Sequence, residues 1–299
     1  MSPAPRWFGG CSELIDILVG GLVTEDTQIG LNSRLMAVAW GITVALAVAP
    51  DLTATGVPSL RRWALFAALL CTAIVPFVWK AARPLRTYAG MLALLIFLAV
   101  FFWNALPAWM SRQAWFPDPS GYAAAFIMQT PKLVAAFVMM AVLALLGYRR
   151  QEFFLSSGAH GKLWIGIGVI AALAMGLTMV VYLQTTAGTK GSAGEIRYLL
   201  LALVLAAMNS FAEEMLYRGV LFGPLLRHVT ANQAISMTAV LFGIAHYHGT
   251  PSGFPGMALT FIAGWVFGLA MVETRSIVLP WFLHFVPDAV IYVTSALQN

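Results

Sequence analysis

Apolar positions in this chain come in long unbroken runs separated by short polar breaks. The runs fall at 34–50, 62–80, 88–110, 122–148, 163–184, 196–228, 232–247, 254–272 and 276–296. A helix needs about 17–25 apolar residues to cross a hydrocarbon layer ~30 Å thick. Most of these runs meet that length, and 34–50 is near its lower limit. The pattern predicts an all-α, polytopic transmembrane helical bundle of about eight to nine spans, because only helices and closed barrels satisfy their backbone in lipid. A weaker apolar stretch at 8–23 reads as an interfacial helix. Residues 1–30 show no evident cleavable signal peptide.

Ser111–Gly121, with Pro117 and Pro119, reads as a loop. Arg149–Lys162 is a polar connector holding Arg149, Arg150 and Glu152. It divides the chain into residues 1–155, with about four spans, and a C-terminal membrane core at 156–299.

Composition agrees with the pattern. Of 299 residues, 60% are hydrophobic and 10% charged, where a soluble domain carries about 25% charged residues. A soluble reading is excluded. The net charge of +5 does not imply nucleic acid, because the basic residues are scattered in short loops. Assigning successive loops to alternate sides puts eleven Lys and Arg on the side of the N-terminus and six on the other. That excess predicts a cytoplasmic N-terminus. Cys11 and Cys71 are too far apart to suggest a disulfide framework, and Cys71, in an apolar run, is expected in the core.

Against this background a few polar residues stand out. Glu213 and Glu214 follow the apolar run Tyr198–Met208. Each charge near a bilayer centre costs about 2.5–3.5 kcal/mol on insertion scales, and such residues mark functional sites. Glu214 and Arg218 are four apart, share a helix face and can neutralise each other. Glu213 lies about 100° round the helix, without a local partner, and is the carboxylate left for chemistry. The run 196–228 would reach ~50 Å as one helix, so a bend or protrusion near Gly219 or Gly223-Pro224 is expected.

Spacing then supplies a geometry. Glu213 lies 17 residues before Thr230 and His246 lies 16 after it. Equal rises on two antiparallel helices put the two at one depth, where they form a candidate acid/base pair. Phe242 sits one turn before His246. The segment His248–Gly253 breaks the helix, and irregular backbone at membrane depth is tolerated where it lines a cavity. His284 and Asp288 share a face on the last run; Asp288 either orients His284 or points with it into that cavity. Asn209, one turn before Glu213, either hydrogen-bonds it or holds helices together. His160 and His228 fall in loops and read as solvated. His248 faces away from His246.

Glu213-Glu214-xxx-Arg218, Phe242-xxx-His246 and His284-xxx-Asp288, in this order, resemble the motif set of the CAAX-protease and bacteriocin-processing family (CPBP or ABI), related to the Ras-converting CAAX endopeptidases. The resemblance covers roughly residues 196–292, and residues 1–155 carry no signature of it. It implies a glutamic-type intramembrane endopeptidase with a catalytic core at 156–299. In that reading Glu213 and His246 activate water and His284 and Asp288 stabilise the oxyanion. Glu214, Arg218, Asn209 and Phe242 are the structural support. The last position is commonly Asn in the prenyl-protein proteases. An ionised Asp cannot donate a hydrogen bond, so Asp288 must be protonated or hold His284 in its donor tautomer.

Two other readings use the same residues. Glu213, His246, His284 and Asp288 are acceptable zinc ligands, which would make a metalloprotease, although there is no HExxH helix. A non-catalytic membrane binding or immunity protein would use the same polar cavity. Serine or cysteine nucleophiles are disfavoured by the lack of a GxSxG motif and of a histidine near either cysteine. The leading reading needs no cofactor, and zinc belongs to the alternative. The expected partners are a membrane-associated protein or peptide substrate and the lipid bilayer, with no nucleic acid. The expected location is the bacterial inner membrane.

Overall fold

The computed structural model describes residues 33–50, 60–117, 122–156, 158, 162–186 and 197–298. Among these residues there is no strand. The principal helices are α1 (Ser33–Val48), α2 (Leu60–Cys71), α3 (Arg86–Phe97), α4 (Tyr122–Leu145), α5 (Lys162–Thr186), α6 (Arg197–Glu214), α7 (Ala231–Ala245), α8 (Gly253–Thr274) and α9 (Val278–Gln298). The expected interfacial helix at 8–23, Cys11 and His160 lie outside the described residues.

Among the described residues, six helices are long and apolar enough to cross a membrane: Lys80–Met110, Ala123–Leu145, Ile165–Thr185, Leu199–Leu226, Gly253–Thr274 and Val278–Ser295. The expected count of eight to nine spans is not confirmed on this criterion. The other three apolar runs fold as the shorter helices Ser33–Val48, Trp63–Val78 and Ala231–Ala245. Run length alone did not separate the two classes, because turns at the ends of a run remain apolar. Cys71 is exposed rather than in the core, since the apolar outer face of a membrane helix suits an apolar thiol as well as an interior does.

Local chemistry sets several boundaries. Thr230 and Gln233 form a capping box at the start of α7: Gln233 N donates to Thr230 Oγ1 (3.3 Å) and Thr230 N to Gln233 Oε1 (3.0 Å). The α8 to α9 turn passes through Arg275 in the left-handed region, at φ +50°. The long run after Arg197 does not continue as a simple α-helix. It widens into a π-helix over Met215–Val220 and resumes as Phe222–Leu226, just before and around the expected bend.

The site is set by how these helices pack. The α6 helix lies against α9 and α4, α7 against α8 and α1, and α9 also against α5 and α8. Gly243 lets α7 and α8 approach, since a Cβ there would lie 2.9 Å from the Met257 carbonyl oxygen. One N-terminal helix, α4, thus borders directly on the helix that carries Glu213.

Candidate active site

The π-helical turn after α6 places Arg218 in the interior, with no exposed surface. Its Nη1 donates to Glu214 Oε1 at 2.9 Å and its Nη2 to the Gly264 carbonyl at 3.2 Å. The guanidinium lies 4.4 Å from the Phe242 ring centroid, a cation–π arrangement that helps hold a desolvated charge. The Glu214–Arg218 pair read from spacing is present. Phe242 supports the arginine on one side and contacts His246 and His284 on others.

Glu214 does more than neutralise Arg218. His284 Nδ1 donates to the same Oε1 at 2.9 Å. The sequence offered Asp288 as the group that orients His284 through a ring nitrogen. The structure gives Nδ1 to Glu214, a carboxylate 70 residues earlier, because α6 and α9 pack side by side. The His284 ring is stacked on Phe267, with centroids 5.1 Å apart.

Around the other imidazole nitrogens the four candidate residues converge. Glu213 Oε2 lies 3.9 Å from His246 Nε2 and 3.6 Å from His284 Nε2. His284 Nε2 lies 3.7 Å from Asp288 Oδ1. The equal-depth argument for Glu213 and His246 holds at the atomic level. His246 Nδ1 donates to the Phe242 carbonyl at 2.8 Å, so in the neutral ring Nε2 carries the lone pair. Glu213 Oε2 is buried and has no hydrogen-bond partner among the described residues.

One member of the cluster was not read from sequence. Lys132, on α4, donates from Nζ to Glu213 Oε1 and to Asn209 Oδ1, each at 2.7 Å. Asn209 Nδ2 in turn donates to Asp288 Oδ2 at 2.9 Å. Asn209 therefore does not bond Glu213; it bridges Lys132 and Asp288. A signal for Lys132 was available, since it is the only charged residue in the helix Tyr122–Leu145 and a lone intramembrane cation calls for a partner. In the loop count it stood as a surface charge. Arg218 stood there too, and neither belongs there.

A cavity of about 1250 Å³ opens beside this cluster. Lys132, Glu213, His246 and Asp288 line it, and α3 with its π-helical continuation, Leu98–Ala105, supplies part of the wall, including Trp103 and Ala105. A second, apolar cavity of about 340 Å³ lies towards α5, and His246 and Asp288 border both. The irregular segment after His246 does line a cavity, through His248, Gly249 and Thr250. His228 lies away from the cluster and is partly buried rather than solvated. Burial first, and then the charge of Arg227, lowers its pKa from the ordinary imidazole value. Among the described residues no group of three His, Cys, Asp or Glu side chains is disposed to hold a metal ion. The cation set against Glu213 is the Lys132 ammonium.

Residues 195–290 match a family model described as type II CAAX prenyl endopeptidase Rce1-like. Over that stretch the chain is similar to the Rce1-like family. No curated protein and no solved structure matches the chain significantly. The Rce1-like stretch contains Asn209, Glu213, Glu214, Arg218, Phe242, His246, His284 and Asp288, whereas Lys132 lies outside it. The match, with the six membrane-length helices, supports a multi-pass membrane protease, a peptide-bond hydrolase.

Proposed function

We propose that this protein is a glutamic-type intramembrane endopeptidase in which Glu213 is the general base. The observation that carries the reading is the buried, unpartnered Oε2 of Glu213, facing the Nε2 atoms of His246 and His284 at 3.9 and 3.6 Å. Polar separations just beyond 3.5 Å are those a bridging water spans. A water held between Glu213 Oε2 and the lone pair of His246 Nε2 donates to both and keeps its own lone pairs for attack.

In the reaction Glu213 takes a proton as the water oxygen bonds to the scissile carbonyl carbon. The carbonyl oxygen becomes an oxyanion. Collapse of the tetrahedral intermediate breaks the C–N bond, and the proton on Glu213 passes to the leaving amine. His284 stabilises the oxyanion through Nε2–H. Because Nδ1–H is committed to Glu214, this role requires the doubly protonated ring, for which Glu214, Glu213 and Asp288 are the counter-charges. A single oxyanion donor contributes about 3–4 kcal/mol in comparable sites. Asp288 is then an acceptor beside the imidazolium and need not donate. The substrate is a membrane-associated protein or peptide whose scissile segment enters the large cavity. The chain resides in a bacterial inner membrane as a multi-pass protein.

Mass spectrometry of membrane peptides from cells carrying wild-type or Glu213→Gln protein tests the reading. The variant is expected to lose a defined set of cleavage products while remaining folded by thermal melting in detergent. An unchanged set would end the glutamate mechanism. Enzyme prepared without added metal is expected to keep full cleavage in chelator; loss restored by zinc would favour the metalloprotease instead.

A further inference from the structure

The base in this mechanism lies in the Rce1-like stretch, yet its cation comes from outside it. We propose that Lys132 is a positioning residue, supplied by the N-terminal half, that fixes both carboxylates of the site. This rests on the reading of Glu213 as general base.

The geometry gives the lysine two distinct tasks. Its ammonium holds Glu213 by Oε1 alone, at 2.7 Å. That single attachment leaves Oε2 turned towards the two Nε2 atoms. Without it the carboxylate is free to rotate and to bring either oxygen, or neither, to the histidines. The second donated bond goes to Asn209 Oδ1 at 2.7 Å. An ammonium only donates, so the asparagine must turn its carbonyl oxygen to Lys132 and its NH₂ to Asp288. Asp288 Oδ2 receives that NH₂ at 2.9 Å, and Oδ1 is left facing His284 Nε2. One cation thereby sets which oxygen each of two acids presents.

The placement is also costly for any lesser role. Lys132 is the lone charge in its helix, and its side chain is only 20% exposed. A lysine needed for helix packing alone would be better replaced by an apolar residue. Placement errors of about 1 Å in a reacting group cost on the order of 100-fold in rate, and that is the loss expected on removing the ammonium.

The test compares membrane peptides from cells carrying wild-type, Glu213→Gln, Lys132→Met or Lys132→Arg protein. Rates are then measured with purified enzyme on a synthetic peptide spanning a cleavage site so found. Lys132→Met is expected to lose the products that Glu213→Gln loses, with kcat down about 100-fold, and Lys132→Arg to recover at least tenfold of that loss. Because Lys132→Met leaves a buried carboxylate unpaired, Lys132→Cys treated with 2-bromoethylamine is the decisive variant. It rebuilds an ammonium in the already folded protein. Treated wild type and Lys132→Ala serve as controls for Cys11 and Cys71. Recovery of cleavage on aminoethylation supports the proposal. Failure of both the arginine and the aminoethyl group to restore it overturns the proposal, since a packing role would be all that remained. Full activity in Lys132→Met, with Glu213→Gln inactive, also overturns it and leaves the base assignment standing. Full activity in Glu213→Gln removes the base and the positioning role together.

Discussion

Arg218 is the largest side chain held without any exposed surface among the described residues, and its surroundings explain why it is tolerated. Glu214 supplies the opposite charge, Gly264 a carbonyl, and Phe242 a ring face. Removing one partner of a buried ion pair costs about 3–5 kcal/mol, because the other charge stays behind. Arg218→Met is therefore expected to lower stability by that order, read as a fall in melting temperature in detergent. Arg218→Lys should not restore it, since an ammonium cannot keep the planar fork and the stack on Phe242 together. Gly264→Ala probes the same contact from α8. Its Cβ would lie 2.8 Å from Arg218 Nη2 and 3.1 Å from a Phe242 ring carbon, and a loss of about 1–3 kcal/mol is expected. The Glu214–Arg218 pair was legible because four-residue spacing on a helix is a local rule. The partners of Asn209, His284 and Asp288 were not legible, since each is chosen by a helix far away in sequence.

At the scale of elements, the connector before α5 acts as a latch beneath the π-helical turn. Glu152 accepts from Arg149 N and from Arg227 Nε, each at 2.9 Å. The Arg227 guanidinium also lies 3.7 Å from the Tyr148 ring centroid. Further along, Ile277 N donates to the Phe154 carbonyl at 3.0 Å. Partial burial raises the Glu152 pKa, but the Arg149 N–H and the bond and charge of Arg227 outweigh it, and the net shift is downward. A carboxylate with a lowered folded-state pKa stabilises the fold above its unfolded value, and that stability is lost as pH falls through the folded one. Glu152→Gln should therefore melt below wild type at neutral pH, by under about 1 kcal/mol for so exposed a pair. The gap should close on acidification below the ordinary carboxylate range; a gap independent of pH would contradict this. Gly223 shows how tightly the latch fits, since a Cβ there would lie 2.5 Å from the Glu152 carbonyl oxygen. Run length had pointed to a bend or a protrusion of 196–228 near Gly219 or Gly223-Pro224. It could not announce a π turn, which depends on what packs against that turn.

At the scale of the molecule, the sequence marked the C-terminal core as the seat of the chemistry and left the earlier helices without a role. The packing of α4 on α6 and the wall that α3 adds to the large cavity supply one. Under the protease reading, the N-terminal helices bound the space a peptide must occupy next to Glu213. Ala105, in the π-helical continuation of α3, lines that space and is exposed within it. Replacing it with tryptophan adds bulk to the cavity rather than to a packed interior. Ala105→Trp is expected to lower kcat/KM for a peptide substrate about tenfold, equivalent to ~1.4 kcal/mol, with an unchanged melting temperature. Leu145→Trp is the matched control, since Leu145 is 88% exposed and lies outside both cavities; it should leave cleavage untouched. Equal losses in the two variants would mean that added bulk perturbs the bundle generally, and the substrate would then have to reach Glu213 by a route that avoids α3.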